Sequence, residues 1–235
     1  MVGWILVLPG SWRGGRWQWH DDMTAAFYAS TVSKNGHFST PLSLITKYNG
    51  HSIAQFCHIL PGFVWAGLIP FQLHPNFRRK YRRAHRVSGY IFLATACLMV
   101  VGFVYIDVQG LVYLHADFPS IPVAQNTTWL PIEIPHQIVF RGIAGWFLVT
   151  LLIAIWYAVR RRVSQHRKWI FRHVAAGIWV AVQRLVVLAV NAKLPENQKK
   201  TFGDGALLGV FLTFGAAEVA VFGYTFLGYK QARLK

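Results

Sequence analysis

Acid is what this sequence has least of: eight Asp and Glu stand against 24 Lys and Arg in 235 residues. That scarcity leaves no paired carboxylates in the apolar stretches, which argues against a typical cation pump, and no His-Glu-x-x-His signature suggests an intramembrane metalloprotease. Cysteine is nearly absent too. Cys57 and Cys97 both fall inside apolar runs, so neither a disulfide framework nor a secreted fold is indicated. There is no Gly-x-Ser-x-Gly, Walker loop or dinucleotide fingerprint, no metal signature of His, Cys and Asp, and no repeat of about 20–50 residues.

What the chain has instead is apolar length. Hydrophobic residues make up 54% and charged residues 14%, in blocks long enough for the roughly 20 residues a helix needs to cross about 30 Å of hydrocarbon. Ser52–Leu73, Val87–Ile106 and Gly142–Val159 carry no charge, His173–Ala192 carries Arg184, and Gly205–Tyr229 carries Glu218. The expected fold is all-α: a polytopic membrane bundle of about five spans with a four-helix core. Residues 52–235 are read as a single bundle and residues 1–51 as an extramembrane or interfacial segment. No basic n-region precedes "WILVLP", so a cleaved signal is not expected, and Trp4, Trp12, Trp17 and Trp19 suit a headgroup boundary.

A net charge of +16 would suggest nucleic acid in a soluble protein, but its placement points to a bilayer as the partner. Six Lys/Arg lie in Arg78–Arg86 and six more in Arg160–Arg172, whereas Asp107–Phe140 has none. Basic loops stay on the cytoplasmic side, which sets the N-terminus outside and the C-terminus in the cytosol. The sequon at Asn126 falls in the loop assigned outside and is a possible glycosylation position. The 193–204 segment, with three lysines, is the weak point of this topology.

Polar residues within spans are expected to face the protein interior. His51, His58, Trp65 and Gln72 recur every seven residues, and Gln55, Gly62, Ile69 and Asn76 form a companion row. In the fourth span His166, Trp169, His173, Gly177, Val180, Arg184, Val187 and Asn191 follow three- and four-residue steps. Arg184 lies 11 residues from His173, and Glu218 lies 11 from Tyr229. Both are therefore placed about 16 Å deep, and an Arg184–Glu218 pair is expected to relieve the cost of burying either charge.

The histidines raise a second possibility. His85 and His173 sit at inner ends of spans, His166 lies just below, His58 is in the outer half of the first span and His136 opens the third. Two histidines from facing helices can ligate a haem iron, with Arg86 and Arg172 near its propionates. The plainer reading gives each a structural or interfacial role.

Three fragments together, "CHILPGFVWAGLIPFQL", "RAHRVSGYIF" and "QHRKWIFRHVAAGIWVAVQRL", resemble the predicted membrane protein family known as domain of unknown function 2306. The resemblance spans about residues 52–190 and marks His58, Gln72, His85, Arg86, Gly89, His166, Trp169, Arg172 and Arg184, with Ile170 where the family pattern has Met. It implies a helical membrane protein similar in plan to b-type cytochromes, without supplying an activity. Two functions are thus carried forward: a membrane protein of unknown activity that binds a lipid or small anion, and a haem b redox protein using His58, His85, His166 and His173.

Overall fold

The computed structural model describes residues 42–48, 50–114, 117–118, 135–190 and 195–233, with helical positions at 25, 26, 28–30 and 32. No strand occurs among the described residues. Asn126, Asn191 and the four N-terminal tryptophans, on which expectations were placed, lie outside them. Five helices are long and apolar enough to span a bilayer: Ser52–Leu73, Arg82–Val108, His136–Val159, Val163–Val187 and Gln198–Phe226. All but the first begin at least five residues before the charge-free run, because Arg and Lys are good helix formers and extend the helix toward water. The chain groups into two compact units, Met1–Val123 and Ala124–Lys235.

The first unit contains α1 (Leu42–Thr46), α2 (Ser52–Leu73), α3 (Pro75–Lys80) and α4 (Arg82–Val108). The N-terminal half of α2 widens into a π turn over Gln55–Ile59, closed by the Leu60 N–H donating to the Gln55 carbonyl. The cause lies just downstream: Pro61 has no N–H to offer the Cys57 carbonyl, and its ring crowds that oxygen. The displaced carbonyl needs room on the neighbouring helix, which Gly102 of α4 provides. A Cβ at Gly102 would sit 2.5 Å from the Cys57 carbonyl carbon and 2.6 Å from its oxygen.

Just beyond the C-terminal end of α2, His74 caps α3 by accepting from the Phe77 N–H at 3.3 Å, and Pro75 takes the first helical position. At its C-terminal end α4 stops at Gly110, whose φ is +66°. Its N–H reaches the Asp107 carbonyl and the Leu111 N–H the Ile106 carbonyl, a Schellman closure sealed by the buried Leu111 and Ile106. Lys47 then ties the chain that precedes α2 to the chain that follows α4, donating to the Val112 carbonyl at 2.8 Å and to Asp117 at 2.7 Å. Leu44, Leu111, Val112, Tyr113 and Phe118 are buried beneath it. The end of the N-terminal segment is therefore a packed part of this unit.

The second unit contains α5 (His136–Val159), α6 (Val163–Val190) and α7 (Pro195–Arg233), with α6 packed against both others. α5 also ends in a Schellman closure, from Arg161 N–H to the Ala158 carbonyl and Arg162 N–H to the Tyr157 carbonyl. Here Arg161 occupies the left-handed position, with φ 57°. Between α6 and α7 the approach is closest at Gly209, where a Cβ would lie 2.8 Å from the Trp179 carbonyl oxygen. With Gly205 it forms a Gly-x-x-x-Gly pair, the spacing that lets helix backbones meet in a membrane. Lys199, counted against the topology above, is buried in α7 at 1% exposure and is not a free loop charge.

Gly102→Ala and Gly209→Ala should each destabilise the protein by about 1–3 kcal/mol, because the intruded atom is backbone. Gly205→Ala meets only the Val186 and Gln183 side chains at 3.7 and 3.8 Å and should be close to neutral. Unfolding in mixed micelles with increasing dodecyl sulfate measures the three; equal losses would refute the packing argument.

Candidate functional site

The heptad row of α2 becomes a seam against α4. His51 Nδ1 meets the Tyr105 hydroxyl at 3.1 Å, and the His58 Nδ1–H donates to the Met99 carbonyl at 2.8 Å. Trp65 stacks on Phe92 with ring centres 5.2 Å apart. Gln72 Nε2 donates to the Ser88 hydroxyl at 2.7 Å and to the His85 carbonyl at 3.3 Å. Contacts recurring every six or seven residues on α4 are what two antiparallel helices produce when both follow a heptad.

This gives the marked residues of the first unit a physical role. Gln72 locks the start of α4, and Gly89 lies beside it, where a Cβ would stand in ordinary contact at 3.5 Å from Gln72 Oε1. His85 contributes its carbonyl to the Gln72 lock, and Arg86 is exposed. Ser88, the second partner of Gln72, escaped the sequence reading, although it lies between the His-Arg pair and Gly89.

A like seam joins α5 and α6. The His166 Nδ1–H donates to the Ala154 carbonyl at 2.8 Å, and the fully buried His173 donates to the Phe147 carbonyl at 3.0 Å. Thr150 Oγ1 lies 3.4 Å from the same His173 nitrogen, and Phe140 stacks on Trp179 further out. A carbonyl can only accept, so Nδ1 carries a proton in His58, His166 and His173. These carbonyls are backbone groups of the neighbouring helix, so the imidazoles act as interhelical clasps.

The expected Arg184–Glu218 pair is not what forms. Glu218 takes a bidentate bond from Arg172 instead, Nε to Oε1 at 2.6 Å and Nη2 to Oε2 at 2.8 Å. Arg184 lies three turns away with its guanidinium over the Phe202 ring, 4.8 Å from its centre. The error was one of register. α6 begins at Val163, ten residues before the His173 from which depth was counted, and α7 runs on to Arg233. The flanking contacts fix the alignment: Arg167 donates to the Tyr224 hydroxyl at 3.1 Å, and Gln183 to the Phe202 carbonyl at 3.1 Å.

The α3–α4 junction of the first unit and the α5–α6 junction of the second carry the charge. In the first, Arg79, Lys80, Arg82, Arg83 and Arg86 are exposed. In the second, Arg160–Arg162 are exposed and Arg160 lies over Trp156 at 4.2 Å. Arg167 lies over Tyr224 at 4.4 Å, and Arg172 over Trp169 at 4.8 Å. At Arg160 the pairing of arginine with an aromatic ring suits the boundary between hydrocarbon and headgroups, whereas Arg172 lies further along its helix, away from the charged end.

A pair of axial ligands to one haem iron must approach within about 4 Å, twice the usual metal–nitrogen distance. His166 and His173 lie on the same face of one helix, about 10 Å apart along its axis. His58 lies level with Met99, and His85 with Gln72, 14 residues further along α2 and thus about 21 Å away. Neither unit by itself places two of these histidines around one iron. Among the described residues no group of three or more His, Cys, Asp or Glu could hold a metal ion.

The sequence profile of the predicted membrane protein family DUF2306 matches residues 55–211. The chain belongs to this family. The match takes in both histidine seams, the Gln72 lock and the Gly205–Gly209 crossing, and ends before Glu218. No curated protein and no solved structure matches the chain. It is a multi-pass integral membrane protein of a family whose activity is unknown.

A double-mutant cycle tests the pairing. Arg172→Leu and Glu218→Leu should show a coupling of about 1 kcal/mol, whereas Arg184→Leu and Glu218→Leu should add independently. Coupling of Glu218 to Arg184, and not to Arg172, would restore the first alignment.

Proposed function

We propose that this family member lies in the membrane with its N-terminus outside and its C-terminus in the cytosol, and that its arginine-rich inner ends hold an anionic group. That group is a phosphate, carried by a phospholipid headgroup or free as a small anion. The observation that carries the reading is Arg161. A left-handed φ costs a side-chain-bearing residue about 1 kcal/mol that glycine would not incur, yet this position holds an exposed arginine between two others. A charge kept at conformational cost points to use of the charge. The exposed set Arg79, Lys80, Arg82, Arg83 and Arg86 gives the first unit the same chemistry, at roughly 1 kcal/mol per basic residue near an anionic surface.

The test is thermal unfolding of the reconstituted protein in phosphatidylcholine vesicles with and without phosphatidylglycerol, and separately with inorganic phosphate. Anionic lipid should raise the midpoint, as any ligand of the folded state does, and high salt should remove the gain. Arg161→Gly should stabilise the protein in neutral lipid and shrink that gain. A midpoint indifferent to phosphatidylglycerol and phosphate alike would end the proposal; a response to phosphate alone would identify a small-anion site.

Haem b on His58, His85, His166 and His173 remains the second reading. It is favoured by the Nδ1–H bonds that His58, His166 and His173 make to backbone carbonyls, the kind of outer bond that metal-ligating histidines make. The spacing within each unit weighs against it. An absorption spectrum of protein expressed with ample haem, taken before and after dithionite, decides. A Soret band that shifts on reduction and is lost in His173→Ala would establish the redox reading, and a featureless spectrum would remove it. Accessibility of single cysteines placed in the 107–140 loop and at the C-terminus to a membrane-impermeant maleimide tests the orientation; labelling of the C-terminal one in intact cells would reverse it.

A further inference from the structure

The Arg172–Glu218 pair is an anomaly of placement. Given the register set by Ala154–His166 and Phe147–His173, Arg172 is level with Leu148. That is eight residues along α5 from Trp156, the ring against which Arg160 stacks. With the Trp156–Arg160 stack taken as the edge of the apolar layer, the pair lies about 12 Å inside it, and the half-thickness of that layer is about 15 Å. Glu218 is nevertheless 57% exposed and Arg172 23%. A carboxylate at this depth facing lipid is costly, and such groups almost always face protein or water.

The surface beside Glu218 shows what could cover it. Phe211, Val219 and Phe222 project from α7 with exposures of 73, 73 and 72%. Between them lie Gly215 and Gly223, and a Cβ at either would meet nothing within 4 Å. Gly209 is required by the packing on α6. Gly215 and Gly223 are not, although each costs the helix about 1 kcal/mol relative to alanine. The face thus offers projecting rings, open notches and both signs of charge, and is complementary to itself.

We propose that a second copy of this chain docks on this face of α7. A two-fold axis along the membrane normal brings the same residue of each copy to the same depth. Glu218 of one copy then faces Arg172 of the other, and the two pairs close into a ring of four alternating charges out of contact with lipid. The glycine notches permit close approach at the crossing, and Phe211 and Phe222 pack beside it.

The experiment is energy transfer between donor- and acceptor-labelled protein in phosphatidylcholine vesicles, followed as lipid dilutes the protein. The neutral lipid separates this question from headgroup binding. Wild type should show reversible pairing. Gly215→Leu fills a space that is open within the chain, so it should unfold like wild type in micelles while pairing at least about tenfold more weakly, or about 1.4 kcal/mol. Glu218→Gln should also weaken pairing. Wild type that is monomeric at every dilution overturns the proposal, as does a Gly215→Leu variant that pairs like wild type. Glu218→Gln pairing unchanged would exclude the ring of charges.

Discussion

A backbone carbonyl that already accepts its helical N–H keeps a second lone pair, and in this protein three of them accept a histidine Nδ1–H from the adjacent helix: Met99 from His58, Ala154 from His166 and Phe147 from His173. Burying apolar surface gives membrane helices little reason to choose one alignment over another, because lipid is as apolar as leucine. A polar donor does give a reason. A one-residue slip would turn each imidazole about 100° away from its acceptor and leave it unpaired in a medium that penalises this. Trp65 on Phe92, Phe140 on Trp179 and the Gln72 lock fall at the positions these bonds prescribe.

Glycine supplies the complementary half of the arrangement. Gly102 accepts the carbonyl that Pro61 displaces, and Gly209 lets the backbones of α6 and α7 meet. Side-chain bonds fix which residues face each other, and the glycines fix how near the helices come.

Much of this was legible in residues alone. The spans follow from apolar length, and the heptad row from His51 to Gln72 faces α4 because a seven-residue polar period has one efficient use between antiparallel helices. The Gly205–Gly209 spacing was equally visible and went unread. Other features could not be read. A histidine that clasps a carbonyl and a histidine that binds a metal occupy the same kind of position, so sequence cannot separate them. The Arg172–Glu218 alignment depended on where α6 and α7 begin, and basic residues at helix ends look like loop until the helix is seen to continue through them. The π turn is written only indirectly, as Pro61 within an apolar run.

The bonds of the first unit's seam are made between α2 and α4, and the contact that closes the end where α2 begins joins Lys47 to Asp117. These bonds all fall within residues 47–117. During synthesis at about 5–20 residues per second, this hairpin is complete on the order of ten seconds before the last residue of α7 is joined to the chain. The Lys47–Asp117 tie needs both strands of chain on the same side of the bilayer. Once made, it lets α2 and α4 change orientation only as a pair, whichever face of the bilayer the tie occupies.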